Sequence, residues 1–210
     1  MADRLETQRD AIHNWLGLGT IIFMSKPFAG KDSQTRRLAN PWGVPVIGSG
    51  DIIRASEVNS DDQQGTKSGR FIPTELFKTL VFPQITETSS RHPEKPLFLN
   101  GVGRALGEES EVLNLMQRLG RPTKAVIYLS VTDGEVYRRL ETTPRGREDD
   151  RPDVVTTRLE EFQNQTELVL KTYENRGLLI PVDAMGEKQC VAENIIIALH
   201  AHALASNKTY

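Results

Sequence analysis

Cysteine is all but absent, and Cys190 stands alone in the chain. One thiol makes neither an internal disulfide nor a cysteine-rich zinc site, and its isolation suits a reducing cytoplasm. Long apolar runs are missing too. The longest are short, such as Thr20–Met24, far below the ~20 residues that cross a bilayer. The opening segment carries Asp3, Glu6 and Asp10 and lacks an apolar signal core, so no secretory signal is read there. Neither sign of charge dominates. Lys plus Arg total 26 against 28 Asp plus Glu, which excludes a globally basic surface for a nucleic-acid polymer or an anionic membrane. Histidine is scarce: His13, His92, His200 and His202 have no ligand-like or triad-like spacing with one another or with Cys190. Exposed or capping roles are expected for them, and Cys190 is expected as a small buried apolar residue.

What is present is an ordinary globular balance of 38% hydrophobic and 26% charged residues over 210 positions, enough for one compact domain with small insertions. Residues 1–19 read as an appended amphipathic helix, with Leu5, Ile12, Trp15 and Leu16 at helical spacing and Gly17 and Gly19 ending it. The domain proper is expected over 20–205, with a tail at 206–210. Its strands are expected at Thr20–Met24, Val44–Ile47, Pro96–Leu99, Ala125–Ser130 and Leu178–Val182. Each is short and rich in Val, Ile, Leu or Phe, as strands buried on both faces are. Helical patterns lie between them near 31–40, 50–58, 73–89, 108–119, 133–141, 152–176 and 188–205. Such alternation predicts a parallel sheet covered by helices, with ligands beyond the carboxyl ends of the strands. Two segments interrupt it: the polar stretch 59–70, inside an insert spanning 48–78, and the charged stretch 142–152. Both read as mobile surface pieces rather than as linkers between separate cores.

The first strand runs into Ser25-Lys26-Pro27-Phe28-Ala29-Gly30-Lys31-Asp32-Ser33-Gln34 and then into a helix. A strand, a tight turn, a Gly-Lys pair and a helix start make a phosphate-binding arrangement, because backbone N–H groups and the helix dipole both favour an anion there. Lys31 is expected at the β and γ phosphates and the Ser33 hydroxyl at magnesium. The strict pattern G-x-x-x-x-G-K-[ST] is not met, since Ser25 stands at the first glycine and Asp32 follows the lysine.

In register with this turn, Pro27, Gly30, Lys31, Ser33 and Gln34 resemble the adenylate kinase loop G-x-P-G-x-G-K-G-T-Q. Further segments extend that resemblance from about residue 20 to residue 200. Ser49-Gly50-Asp51-Ile52-Ile53-Arg54 is similar to the family's monophosphate stretch, which implies Ser49 near the base and Arg54 at the α-phosphate. Gly69-Arg70-Phe71-Ile72-Pro73 resembles the segment that closes over the monophosphate base, so Phe71 and Ile72 are implied there. Asn100-Gly101-Val102-Gly103-Arg104 is similar to D-G-F-P-R, which implies Gly101 and Arg104 at the monophosphate and Glu108 at the position that reads its base. Gly146-Arg147-Glu148-Asp149-Asp150 resembles the short-lid motif G-R-x-D-D, with Arg158 following. Arg139 matches an arginine near the donor nucleotide, and Val182–Gly186 resembles the loop framing the donor adenine.

The resemblance implies a P-loop three-layer α/β/α fold with a five-stranded parallel sheet, an NMP-binding insert and a short lid. It implies transfer of the γ-phosphoryl of ATP to a nucleoside monophosphate, AMP first, by a cytoplasmic monomer that uses magnesium. Lys31, Arg104, Arg147 and Arg158 would be catalytic, because phosphoryl transfer asks for positioning and for cations around the migrating group. Phe28, Ala29, Gly30, Asp32 and Ser33 would join Lys31, Arg139 and Gly186 at ATP. Arg147 and Arg158 would also face the monophosphate, and Asp149 and Asp150 would orient arginines. Arg138, Arg145 and Arg151 have no stated part. The short lid has no cysteine or histidine ligand, so no zinc is expected.

Four departures bear on rate and base preference. Phe28 replaces a loop glycine, and a positive φ there would strain it. Asp32 leaves three roles open: favouring the helix start, repelling the donor, or helping to hold magnesium. Asn100 replaces a strand-end Asp and reaches magnesium only through water. Glu108 replaces a Gln and accepts without donating, which suits a base edge rich in N–H groups. Kinases of UMP, CMP or another small acceptor, and a nucleotide-binding module with little catalysis, remain alternatives.

Overall fold

Thr20–Ser25 carries six consecutive buried residues and forms strand β1, the middle strand of the sheet. The structure, a computed structural model, describes residues 2–56, 68–143 and 146–206. Val46–Gly48 (β2), Leu97–Asn100 (β3), Thr123–Ser130 (β4) and Leu179–Asp183 (β5) complete a five-stranded parallel sheet in the order β2-β3-β1-β4-β5. Its register runs from Thr20 opposite Leu97 to Phe23 opposite Asn100 on one side of β1. On the other side it reaches Ser25 opposite Leu129.

Side chains alternate across a strand, and β1 uses both faces. Ile21 and Phe23 enter a core shared with Phe98, Ala125, Ile127 and Leu129, whereas Ile22 and Met24 enter another with Leu97, Leu99 and Val126. Each fully buried side chain of this size contributes ~1.5–3 kcal/mol. That burial on both faces is why β1 reads as a continuous apolar run.

The helices are Ala2–Leu16 (α1), Lys31–Ala39 (α2), Ser49–Ala55 (α3), Thr74–Arg91 (α4), Glu108–Arg118 (α5), Asp133–Thr142 (α6), Pro152–Glu161 (α7), Glu167–Asn175 (α8) and Lys188–Ser206 (α9). They cover both faces of the sheet, which gives the expected three-layer α/β/α architecture. The chain winds to β2 and β3 on one side of β1 and then crosses to β4 and β5 on the other. Loops therefore diverge beyond the carboxyl end of β1, where such sheets bind ligands.

Helix α1 is joined to the core rather than hung from it. Ile12 and Leu16 are fully buried in the first core. The Lys124 ammonium donates to the Trp15 carbonyl at 2.7 Å and lies 5.5 Å from the Trp15 ring centroid. Gly17, at φ 54, ends the helix by donating its N–H to the His13 carbonyl at 3.1 Å.

Several local expectations need correction. The helical stretch expected over 152–176 runs unbroken from Pro152 to Asn175, but its middle turn, Phe162–Thr166 between α7 and α8, is π-helical. The turn stacks Phe162 on Tyr128 at 5.9 Å and brings the Thr166 hydroxyl to the Arg104 carbonyl at 3.2 Å. Cys190 is exposed, because α9 turns Val191, Ile195 and Leu199 to the core and leaves Cys190 out of phase. His92 caps α4. The other histidines are half-buried partners: His13 meets the Trp42 ring at 5.4 Å, His200 the Gln8 amide at 3.5 Å, and His202 the Lys124 carbonyl at 3.1 Å. Strand β2 begins at Val46 and β3 at Leu97, two and one residues later than expected; before β2 the Val44 N–H turns back to the Ala39 carbonyl of α2 instead of joining the sheet. Residues 57–67 of the 48–78 insert, Pro144 and Arg145 of the lid, and tail residues 207–210 lie outside the described residues.

Candidate active site

A cleft of about 710 Å³ opens beyond the carboxyl ends of β1 and β3, within the size range of small-molecule sites. Its floor is the turn between β1 and α2. Gly30, at φ 87, precedes α2 and turns the chain so that Lys31 starts the helix. Phe28, at φ 59, is the only non-glycine with positive φ among the described residues. Its ring is 8% exposed and packs into the first core rather than standing free. Arg139 braces this strained residue. Its guanidinium donates to the Phe28 carbonyl at 3.2 Å and to the Ala184 carbonyl at 2.8 Å, tying the turn to the loop after β5. Glu135 holds Arg139 at 2.6 Å and Arg138 at 2.7 Å. Hydrogen bonds from Arg138 and Arg139 hold the Glu135 carboxyl down at about 2.

The Lys31 ammonium crosses from α2 to the end of β3, donating to Asn100 Oδ1 and, at 3.1 Å, to Asp32 Oδ1. Burial lowers it to about 8, against the pull of Asp32 and with a push from Arg104. Asn100 closes the triangle, its Nδ2 donating to Asp32 Oδ1 at 3.0 Å. The other carboxylate oxygen of Asp32 accepts from Arg147, which reaches over from the lid at 3.4 Å. Burial alone would raise Asp32; Lys31, the Asn100 amide and Arg147 outweigh it and hold the carboxyl well below the usual range. The Ser33 side lies beside Lys31 and Asp32 on the cleft wall.

The far side of the cleft comes from α3, residues 69–72 and the turn after β3. The Ser49 hydroxyl donates to the Gly101 carbonyl and is buried. Arg54 pairs with Asp51 at 2.5 Å. Arg104 lies over the Phe71 ring at 4.9 Å, and burial lowers its guanidinium. Glu108 Oε2 accepts the backbone N–H groups of Arg104 and Ala105 at 3.1 and 3.2 Å, so one oxygen of the position expected at the base fixes the turn before α5. Burial raises its pKa. Glu108 and Ile72 line a small recess off the main cleft with Ser49, Phe71, Gly101 and Arg104. Gly69 is forced to be glycine: at φ 89, an added Cβ would lie 2.6 Å from the Val154 carbonyl of α7.

Arg158 of α7 pairs with Asp149 of the lid at 2.9 Å, leaving Asp149 Oδ1 buried without a hydrogen-bond partner among the described residues. Arg147 and Arg158 both line the cleft. Arg151 turns away to Asp153 and is exposed.

One cleft thus gathers Phe28, Ala29, Gly30, Lys31, Asp32, Ser33, Ser49 and Arg54 with Phe71, Asn100, Gly101, Arg104, Arg139, Arg147, Arg158 and Gly186. It also holds residues without a stated part. Lys26 pairs with Asp133 at 2.6 Å and lies 5.7 Å from the Phe162 ring centroid, and Arg70 and Arg138 line the wall. Lys26 and Arg70 stood inside the quoted motifs; Phe162 had no signal, because its place depends on the π-helical turn. Among the described residues, no group of three or more His, Cys, Asp or Glu could hold a metal ion. Among the same residues, no helix is long and apolar enough to cross a membrane.

Comparison with known proteins agrees with this geometry. Residues 23–178 match the family model described as "Adenylate kinase". A curated adenylate kinase of Clavibacter michiganensis is 32% identical over 186 residues, covering 85% of this chain and 92% of that protein. One of Kocuria rhizophila is 30% identical over 186 residues, 85% of this chain and 97% of that protein. One of Thermobifida fusca is 30% identical over 191 residues, 87% and 99% respectively.

Proposed function

The chain belongs to the adenylate kinase family, and from that premise we propose that it moves the γ-phosphoryl group of ATP to AMP. The observation that carries this reading is the convergence of Lys31, Arg54, Arg104, Arg147 and Arg158, from five separate stretches of chain, on one cleft. Arginine suits this task because its planar fork holds phosphate oxygens bidentately and stays charged.

The donor lies on the side of Phe28–Ser33, Arg139 and Gly186, with its phosphates at the start of α2 and on Lys31. AMP lies on the side of Ser49, Arg54, Phe71, Ile72, Gly101, Arg104 and Glu108. Lys31 and Arg104 both crowd Gly101, where an added Cβ would lie 3.3 Å from the lysine nitrogen and 3.7 Å from Arg104 Cδ. Donor and acceptor phosphates placed on them therefore approach each other near the end of β3. Arg147 from the lid and Arg158 from α7 close onto the group in flight, and their charge stabilises the transition state more than either ground state. Closure of 48–78 and 142–152 would also exclude water, which otherwise takes the phosphoryl group.

Magnesium would be held by the Ser33 hydroxyl together with the nucleotide phosphates and water. The Asn100 amide would reach it through water, and the ion would neutralise phosphate charge. Ser33 lines the cleft beside Lys31 and Asp32, and a hydroxyl oxygen is a hard donor of the kind such an ion takes. We propose that the enzyme acts as a monomer in the cytoplasm; a single unpaired cysteine supports the compartment.

The test is ADP formation by purified wild type and Lys31→Ala. Wild type should turn over, and the variant should lose ~10²–10³-fold in kcat, as removal of one charge-stabilising donor does. A folded Lys31→Ala with wild-type turnover would take the phosphate site away from this turn.

A further inference from the structure

Asp32 is the one carboxylate bound directly to the phosphate-handling lysine among the described residues, and the transfer reaction as set out above gives it no task. Its two oxygens divide their partners by origin. Oδ1 takes Lys31 from the turn and Asn100 from β3, at 3.1 and 3.0 Å; Oδ2 takes Arg147 from the lid at 3.4 Å. A carboxylate between these two cations stands in for a phosphate: it is anionic, it accepts the same N–H donors, and it draws the lid toward the floor of the cleft.

Resting on the phosphoryl-transfer reading, we propose that Asp32 is a built-in competitor of the donor phosphates. It latches Arg147 of the lid to Lys31 of the turn when no nucleotide is bound, and ATP must exchange with it. Lys31 and Arg147 then pass from the carboxylate to phosphate oxygens. Asp32 stays at the start of α2, its side chain 42% exposed, as a negative charge beside the nucleotide. The consequence is weaker nucleotide binding and faster release than the cations alone would give. Asp32 is a positioning residue in this account, since it acts through Lys31 and Arg147 and not on the reacting atoms.

A merely structural Asp32 and a latching one differ in the sign of a substitution. Loss of a structural hydrogen bond weakens binding, whereas loss of a competitor strengthens it. The experiment is calorimetric titration of wild type, Asp32→Asn and Asp32→Gly with ATP and with inorganic tripolyphosphate, each without magnesium, at low and high salt. Both variants should bind both probes about tenfold or more tighter than wild type at low salt, with the gain shrinking as salt screens the charge. Backbone amides of residues 146–151 should also exchange hydrogen faster in nucleotide-free Asp32→Asn than in wild type, and equally once ATP is bound. Equal or weaker binding by both variants, with wild type still binding ATP, would overturn the latch and leave the kinase reading intact. A wild type that binds neither probe would overturn both.

Discussion

Burial lowers the Lys31 ammonium to about 8, so the charge used at the triphosphate titrates within the range of ordinary assays. The free enzyme should lose ATP capture as pH rises through about 8, because deprotonated lysine no longer attracts the β and γ phosphates. A profile of kcat/KM for ATP reports free-enzyme groups and should show that falling limb. Stability responds with the opposite sign. Unfolded lysine keeps its proton up to 10.5, so the folded protein binds fewer protons between about 8 and 10.5, and this group makes stability rise with pH across that window. A kcat/KM that stays flat to pH 9.5 would mean that Lys31 keeps its charge in the free enzyme. Phe28 offers a second test at this scale. Its φ of 59 is strained, costing ~1–3 kcal/mol, yet its ring is buried in the first core, where loss of a Phe costs ~3–5 kcal/mol. Packing wins, so Phe28→Gly should lower the urea midpoint; a raised midpoint would show that strain dominates.

Among the elements, the strands were legible because burial on both faces writes itself as continuous apolar runs. Thr20–Ser25 is the clearest case, buried along its whole length. The π-helical turn at Phe162–Thr166 was not legible, since the apolar spacing of α7 and α8 runs through it and backbone hydrogen bonding leaves no residue signature. Cys190 was misplaced by residue type, although the phase of Val191, Ile195 and Leu199 puts it on the outer face of α9 with Ile197 and Leu204. The helix at the N-terminus was read as an appendage, but its contacts with α9 and the sheet are those of a core element. Ile12→Ala, at a fully buried position, should therefore cost ~2–5 kcal/mol in denaturant unfolding. A change under ~0.5 kcal/mol, typical of surface sites, would make α1 the appendage that the sequence suggested.

The whole molecule brings together what the chain separates. Arg54, Arg104, Arg147 and Arg158 are spread over about a hundred residues, and only the winding order β2-β3-β1-β4-β5 sets them around the end of β1. Their positions were legible through the family motifs. Their partners were not, because the Lys31–Asp32–Asn100–Arg147 web depends on distances between the turn, β3 and the lid. Glu108 likewise turned out to fix its own turn with one oxygen, which no motif states. The base it admits is a property of the assembled cleft and not of any one position. The most direct test of the central claim is steady-state ADP formation from ATP and magnesium, with AMP, CMP, UMP and GMP offered separately. Turnover with AMP well above the other three is the predicted result. No turnover with AMP, while ATP still binds, would contradict it.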